Sequence, residues 1–216
     1  MLAAGGRGER LGDDRPKAFA RLGDLPLLAE PLRRLDESEW VDRIVIAAPP
    51  EWEEPCILLA EELGAGKVAS VVTGGETRTD SVRAAVSEVG NDAAVVLVHD
   101  AARPILPEEV IERVLAPLSE GWDGVVPALP VADTVKRVRG DAVVETVDRD
   151  GLVAAQTPQA FLADALRGAL GTGPQRGTDC AALVEAAGGR VKVVRGDQRL
   201  LKVTSRADLD LVASWL

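Results

Sequence analysis

Aromatic residues are scarce: two Phe, four Trp and no Tyr make up 3% of 216 residues. Hydrophobic residues still reach 46%, so a sizeable core is expected, built mostly from Ala, Val and Leu. Cysteine is scarcer. Cys56 and Cys180 stand alone, without metal-type spacing, and read as reduced, partly buried thiols. His99 is the single histidine. With no partner for metal ligation and no triad in view, it reads as structural, and a serine nucleophile at Ser81 is not expected. No apolar run approaches the roughly 18 residues of a membrane span. No apolar stretch precedes the first charges, so no secretory leader is expected and the cytoplasm is the default. Net positive charge is missing too. The formal charge of −10 disfavours nonspecific nucleic-acid binding and an anionic membrane surface. Repeats and low-complexity linkers are absent, and the length suits one domain over 1–216.

Against this acidic background, clustered cations matter. Lysines number only five, and Lys17 closes a start that reads LAAGGRGERLG and then DDRPKAF. Gly5, Gly6, Gly8 and Gly12 interleave with Arg7 and Arg10. Glycine lets a backbone approach a ligand closely, and Arg and Lys supply donors suited to phosphate. Such a loop can wrap a polyphosphate with backbone N–H groups, or be merely a basic surface loop. It is not a P-loop, since no Gly-Lys-Ser/Thr follows, and it is a poor dinucleotide fingerprint. Only four residues precede the glycines, so the strand feeding them is very short or begins upstream.

Downstream, strands and helices alternate. Helices are expected over 27–36, 51–63, 80–89, 107–118, 159–170, 178–187 and 205–216. Buried strands are expected over 41–48, 67–72, 93–98, 124–129 and 191–194. Residues 131–149 alternate apolar with polar around Gly140, the pattern of a β-hairpin arm. A lone hairpin is marginal in water, so the arm over 131–150 should pack on something, most simply a second subunit. Alternation of this kind gives an α/β layer with a doubly wound, mostly parallel sheet. Ligands then sit at the carboxyl ends of the strands. The glycine loop, Gly74–Arg78 and Asp100–Arg103 all follow strands, so three polar clusters converge on one edge.

Asp100 follows a buried strand and is placed to hold Mg²⁺; the alternatives are an N-cap or a pair with Arg103. Asp80 reads as a helix cap. Asp133, Thr134 and Arg149 lie at the foot of the arm, where Arg149 can bind phosphate or form a cross-strand pair with Asp133. Thr178 reads as an N-cap. Lys202 lies between Leu201 and Val203, unusual for lysine unless it snorkels or meets an anion.

Taken in order, these clusters resemble one family, the 2-C-methyl-D-erythritol 4-phosphate cytidylyltransferases. The motifs are LAAGGRGERLG…RPKAF at 2–19, GGETRTDSV at 74–82, VHDAARP at 98–104, ADTVKRV at 132–138, ETVDR at 145–149, QTPQAF at 156–161, TDCA at 178–181 and LKVTSRADL at 201–209. The resemblance implies a Rossmann-like nucleotidyltransferase fold with a protruding arm that forms a homodimer. It implies CTP and methylerythritol phosphate as substrates, Mg²⁺ as cofactor, and pyrophosphate as a product. Ala3, Ala4, Gly5 and Gly6 match the segment that approaches the nucleotide. Arg10 and Lys17 match the pair that stabilises the transition state, with Arg7 an alternative to Arg10. Gly75, Glu76 and Ser81 match contacts to cytosine and ribose, and Asp100 the metal-associated aspartate. Arg149 and Lys202 match residues that position the sugar phosphate. Thr134 from the partner's arm, with Arg103, Thr157 and Thr178, would line the second substrate. A cytidylyltransferase for another polyol phosphate, such as ribitol 5-phosphate, is the nearest alternative. A sugar-1-phosphate nucleotidyltransferase, a silent nucleotide-binding module and a nicotinamide oxidoreductase are less favoured.

Overall fold

The computed structural model describes residues 1–6, 15–171, 177 and 179–216. Strand β1 (Leu2–Ala3) is followed by a small ribbon of β2 (Arg21–Leu22) and β3 (Leu25–Pro26). Then come α1 (Ala29–Glu37), β4 (Ile44–Ala48), α2 (Glu53–Glu62), β5 (Val68–Thr73), α3 (Arg78–Ser87), β6 (Val95–Asp100) and α4 (Glu108–Leu115). The second half holds β7 (Gly124–Pro130), β8 (Val135–Arg139), β9 (Ala142–Val147), β10 (Val153–Ala155), β11 (Gln159–Leu162), α5 (Ala163–Gly171), α6 (Cys180–Ala186), β12 (Val191–Arg195) and α7 (Arg206–Ala213).

Eight strands form one sheet in the order β10-β7-β11-β6-β1-β4-β5, with β12 on β7. All pairings are parallel except those of β10 and β11, which run against β6 and β7. The expected α/β, mostly parallel sheet is what forms. The first strand spans only Leu2–Ala3 here, yet it sits centrally: Leu2 and Ala3 pair with Ile46 and Ala47 on one side and with His99 and Asp100 on the other.

Strand alternation splits the core in two. On β4, Ile44, Ile46 and Ala48 face Leu32, Leu35, Leu59, Ile111 and Val114 of α1, α2 and α4. Val45 and Ala47 face Val82, Val86, Leu166 and Leu183 of α3, α5 and α6. A small third cluster places Leu209 and Val212 of α7 against Leu22 and Leu27 near the ribbon.

One expected element is corrected. Residues 159–162 are not the start of a helix but strand β11, inserted between β6 and β7. The run QAFL is short and apolar, a pattern that fits either state, and pairing on both edges decides it. Phe161 is fully buried, and a Cβ on Gly124 of β7 would lie 2.7 Å from its ring, so this site is filled without slack. Phe161→Ala is expected to cost about 3–5 kcal/mol of stability, read by denaturant unfolding.

The hairpin over 131–149 is present. β8 and β9 pair only with each other, and Gly140 opens the two-residue turn at φ +58, which suits the first position of a type II′ turn. Val138, Val143 and Val144 on this arm are all at least half exposed.

Candidate active site

A cavity of about 830 Å³ opens at the carboxyl ends of β1, β4, β5 and β6. Its walls come from four segments: residues 3–6, 15–18, 74–78 and 100–102, with Pro49, Pro50, Trp52, Ser81 and Lys202 completing it. Ten of the residues expected from sequence meet here: Ala3, Ala4, Gly5, Gly6, Lys17, Gly75, Glu76, Ser81, Asp100 and Lys202.

Gly6 and Lys17 are tied to each other on the first wall: the Lys17 N–H donates to the Gly6 carbonyl at 3.1 Å, which holds these two residues together. Lys17 then begins a short 3₁₀ turn, whose buried Phe19 packs against Trp52 at 4.5 Å between ring centroids. That contact anchors Lys17 to the cavity wall. Arg10, with its alternative Arg7, lies outside the described residues, as does Thr178.

The second wall is the start of α3. Thr77 is its N-cap and Asp80 sits at N3, completing a reciprocal capping box. Asp80 therefore caps α3 from inside the helix. The Ser81 hydroxyl accepts from the Gly75 N–H at 3.1 Å and contacts the Thr77 carbonyl at the same distance, which folds Gly74–Thr77 over the helix end. Gly75 is needed for closeness: an added Cβ would collide with that of Asp80. Gly75→Ala is expected to push the capping box outward, costing about 1–3 kcal/mol of stability and weakening CTP binding. Thermal unfolding and a CTP titration check both.

At the centre lies Asp100. Its Oδ1 accepts from Arg78 Nε at 3.1 Å and its Oδ2 from Lys202 Nζ at 2.7 Å. Burial pushes the carboxyl pKa up, but the two cations outweigh it and hold Asp100 well below the usual carboxylate range. Burial likewise favours neutral Arg78, and Asp100 reverses that, so the guanidinium stays charged. The expected alternative, an Asp100–Arg103 pair, is not what forms. Lys202 meets an anion, as its apolar flanks suggest, and that anion is Asp100, 102 residues earlier. Arg78 also reaches Cys180 Sγ at 3.3 Å. Burial raises the Cys180 thiol pKa despite this neighbour and pushes Cys56 up to about 12. Both thiols are free and buried, a fuller burial than the composition suggested.

Other expected residues do not line the cavity. The Arg103 guanidinium is buried and bonds the Leu200 and Ala155 carbonyls. Thr157 is buried too, and its hydroxyl is used by the Asp100 N–H and by His99. His99 is structural, as expected: fully buried, bonded to the Arg103 carbonyl, with burial lowering its pKa to about 4. Thr134 and Arg149 are exposed at the foot of the arm, where Arg149 donates to the Ala132 carbonyl. Sequence reasoning placed Arg78 in a converging segment without giving it a role, and missed Trp52 and Arg15 as wall residues. Arg78 had a signal, since it stands inside the GGETRTDSV motif.

Four cations (Arg15, Lys17, Arg78 and Lys202), the glycine-bearing segment 3–6 and the carboxylates of Glu76 and Asp100, at the edge of a doubly wound sheet, suit the transfer of a phosphate-bearing group from a nucleotide. Nucleotidyltransferases are the class this fold and cavity define. Comparison with known proteins narrows it. Residues 1–216 match the family described as IspD, 2-C-methyl-D-erythritol 4-phosphate cytidylyltransferase. A relative of that name from Frankia casuarinae is 46% identical over 100% of this chain and 80% of its own. One from Nocardia farcinica is 44% identical over 100% and 92%. The crystal structure of 2-C-methyl-D-erythritol 4-phosphate cytidylyltransferase from Thermus thermophilus superimposes with a TM-score of 0.81 at 31% identity, covering 99% of this chain and 96% of the other. The chain belongs to the IspD family, and it is a transferase that uses CTP in the non-mevalonate route to isoprenoids.

Proposed function

We infer that the cavity holds CTP and that the chain transfers its cytidylyl group to 2-C-methyl-D-erythritol 4-phosphate, giving the CDP-alcohol and pyrophosphate. The observation that carries this reading is the meeting of Lys17, Arg78 and Lys202 with Asp100 in one cavity of nucleotide size. A phosphate oxygen of the second substrate attacks the α-phosphorus of CTP in line, and the bond from that phosphorus to the pyrophosphate oxygen breaks. The nucleophile is already an anion, so no covalent enzyme intermediate and no strong base is needed. Two anions must instead be brought together, which is work for positioned cations.

In this reading Ala3, Ala4, Gly5 and Gly6 place backbone against the triphosphate, and Lys17 with Arg10 stabilises charge as pyrophosphate leaves. Gly75, Glu76 and Ser81 face the base and ribose. Lys202 and Arg149 receive the phosphate of the sugar alcohol, with Thr178 beside it.

Mg²⁺ fits a donor set of this kind. A carboxylate offers about four lone-pair positions, and Arg78 and Lys202 take one on each oxygen of Asp100. Magnesium bound through one carboxylate and substrate phosphates needs no protein cage. Asp100 would hold it, and the ion would supply further neutralisation of the phosphate charge. Among the described residues no helix is long and apolar enough to cross a membrane.

The exposed valines of the arm, and the exposure of Thr134 and Arg149 outside the lining of their own chain's cavity, support a homodimer in which the arm over 131–150 completes a neighbouring site. Thr134 of the partner subunit would then line the second substrate.

The test is pyrophosphate release from purified protein with CTP and Mg²⁺, adding methylerythritol phosphate or ribitol 5-phosphate in parallel. Turnover with the first alone is expected. Turnover with the second alone would move the assignment to another polyol phosphate. A sedimentation measurement giving a monomer at assay concentration would sink the shared-site arrangement.

A further inference from the structure

Asp100 is the last residue of β6, and its backbone lies beyond the ladder that β6 makes with β11. The ladder runs from Val95↔Leu162 to Val98↔Gln159. Continuing that register two places puts Thr157 opposite Asp100. No backbone donor comes from the intervening Pro158, which lacks an N–H. On the other edge, β1 stops at Ala3, which pairs with Asp100. The Asp100 N–H would be a buried orphan on the β11 side, and a buried orphan is costly. Instead it donates to the Thr157 hydroxyl at 3.1 Å.

The chain of bonds continues inward. The Thr157 hydroxyl lies 3.2 Å from His99 Nδ1, and His99 Nε2 lies 2.9 Å from the Arg103 carbonyl. A carbonyl only accepts, so Nε2 carries the proton. A neutral ring then has a bare Nδ1, which accepts from Thr157. Every donor direction in this series is fixed. His99 is 0% and Thr157 4% exposed, so water does not compete for either. Arg103 secures the far end, with its guanidinium on the Leu200 and Ala155 carbonyls, next to the strand that leads to Thr157 and the segment that leads to Lys202.

We propose that Thr157 and His99 are positioning residues, a buried hydrogen-bond chain that sets the Asp100 backbone so that its carboxylate meets Arg78 and Lys202 at the cavity. The inference rests on Asp100 taking part in the reaction. It gives Thr157 a role through Asp100 and not on the second substrate.

Isosteres separate this chain from general packing. Thr157→Val keeps shape and removes the hydroxyl; Thr157→Ser restores it. His99→Asn offers an acceptor where Nδ1 stood, and His99→Gln offers a donor where Nε2 stood. Steady-state kinetics on each, with thermal unfolding to establish the folded fraction, make the test. Thr157→Val is expected to lower kcat about tenfold to a hundredfold, the scale of a small misplacement of a reacting group. KM for both substrates should stay within about threefold. Thr157→Ser should recover most of the loss, and His99→Asn should retain more kcat than His99→Gln. If Thr157→Val instead raises KM for methylerythritol phosphate with kcat kept, the hydroxyl serves substrate and the proposal fails. It fails equally if His99→Gln matches or exceeds His99→Asn, a comparison that stands even where Thr157→Val does not fold. Asp100→Asn is the control. Near-normal turnover in that variant overturns the reading of Asp100 itself, whereas a dead Asp100→Asn beside an unimpaired Thr157→Val overturns only the chain.

Discussion

Lys17→Ala is expected to lower kcat by about 10²–10³, the scale of losing one oriented electrostatic donor in a preorganised site. The lysine starts a 3₁₀ turn whose N–H is tied to Gly6 and whose Phe19 is wedged against Trp52. Its backbone is therefore fixed on the cavity wall before substrate arrives, and little ordering remains to be done during reaction. Charge builds on the bridging oxygen as the bond to pyrophosphate breaks, so most of the interaction with a fixed ammonium appears in the transition state. Interactions stronger there than in the ground state are lost from kcat more than from KM. Lys17→Arg should recover part of the rate, since charge is kept while the point-like ammonium becomes a broader fork. Steady-state pyrophosphate release under saturating CTP decides it. A Lys17→Ala enzyme turning over near the parent rate would remove this residue from the chemistry.

Much of the frame was legible because it rests on local pattern. Residues 93–98 read as a buried strand from an unbroken apolar run and 41–48 from the apolar run that ends it, though the strands that form are Val95–Asp100 and Ile44–Ala48, and Gly140 between alternating valines marked the arm. The convergence of three polar segments followed from the rule that loops after parallel strands share one edge. What escaped was pairing between distant segments. QAFL is a strand because β6 and β7 flank it, and nothing within those four residues shows that. Lys202 was read as needing an anion, but the anion could not be named, since 102 residues separate it from Asp100. Arg103 and Thr157 stand in the right motifs yet turn inward, because the sheet ladder ends beside them and leaves carbonyls and an amide to be satisfied. Motif spacing shows that such residues matter to the site. Only the fold shows whether they face the ligand or hold a neighbour that does.

Asp100→Asn should produce the largest loss, and its direction differs between binding and turnover. The carboxylate is buried between two cations, and breaking a buried pair by removing one partner costs about 3–5 kcal/mol. Lys202 keeps 42% of its side chain exposed and can turn toward water, so the lower end of that range applies to stability. Asparagine fills nearly the same volume and still presents an oxygen, so the fold should survive. The cavity, however, gains one net positive charge. CTP measured without Mg²⁺ should bind as tightly as before or more so, because Arg78 and Lys202 are released toward the triphosphate. Turnover should fall by about 10³ or more, since the same cations are no longer held where the two phosphates must meet and the Asp100 carboxylate offered to Mg²⁺ is gone. Calorimetric titration with CTP and pyrophosphate release, on the same preparation, separate the two effects. Weakened CTP binding with turnover intact at saturation would mean that Asp100 serves only to build the cavity. Tighter binding with lost turnover is the signature of a carboxylate that keeps Arg78 and Lys202 from holding their substrate too well.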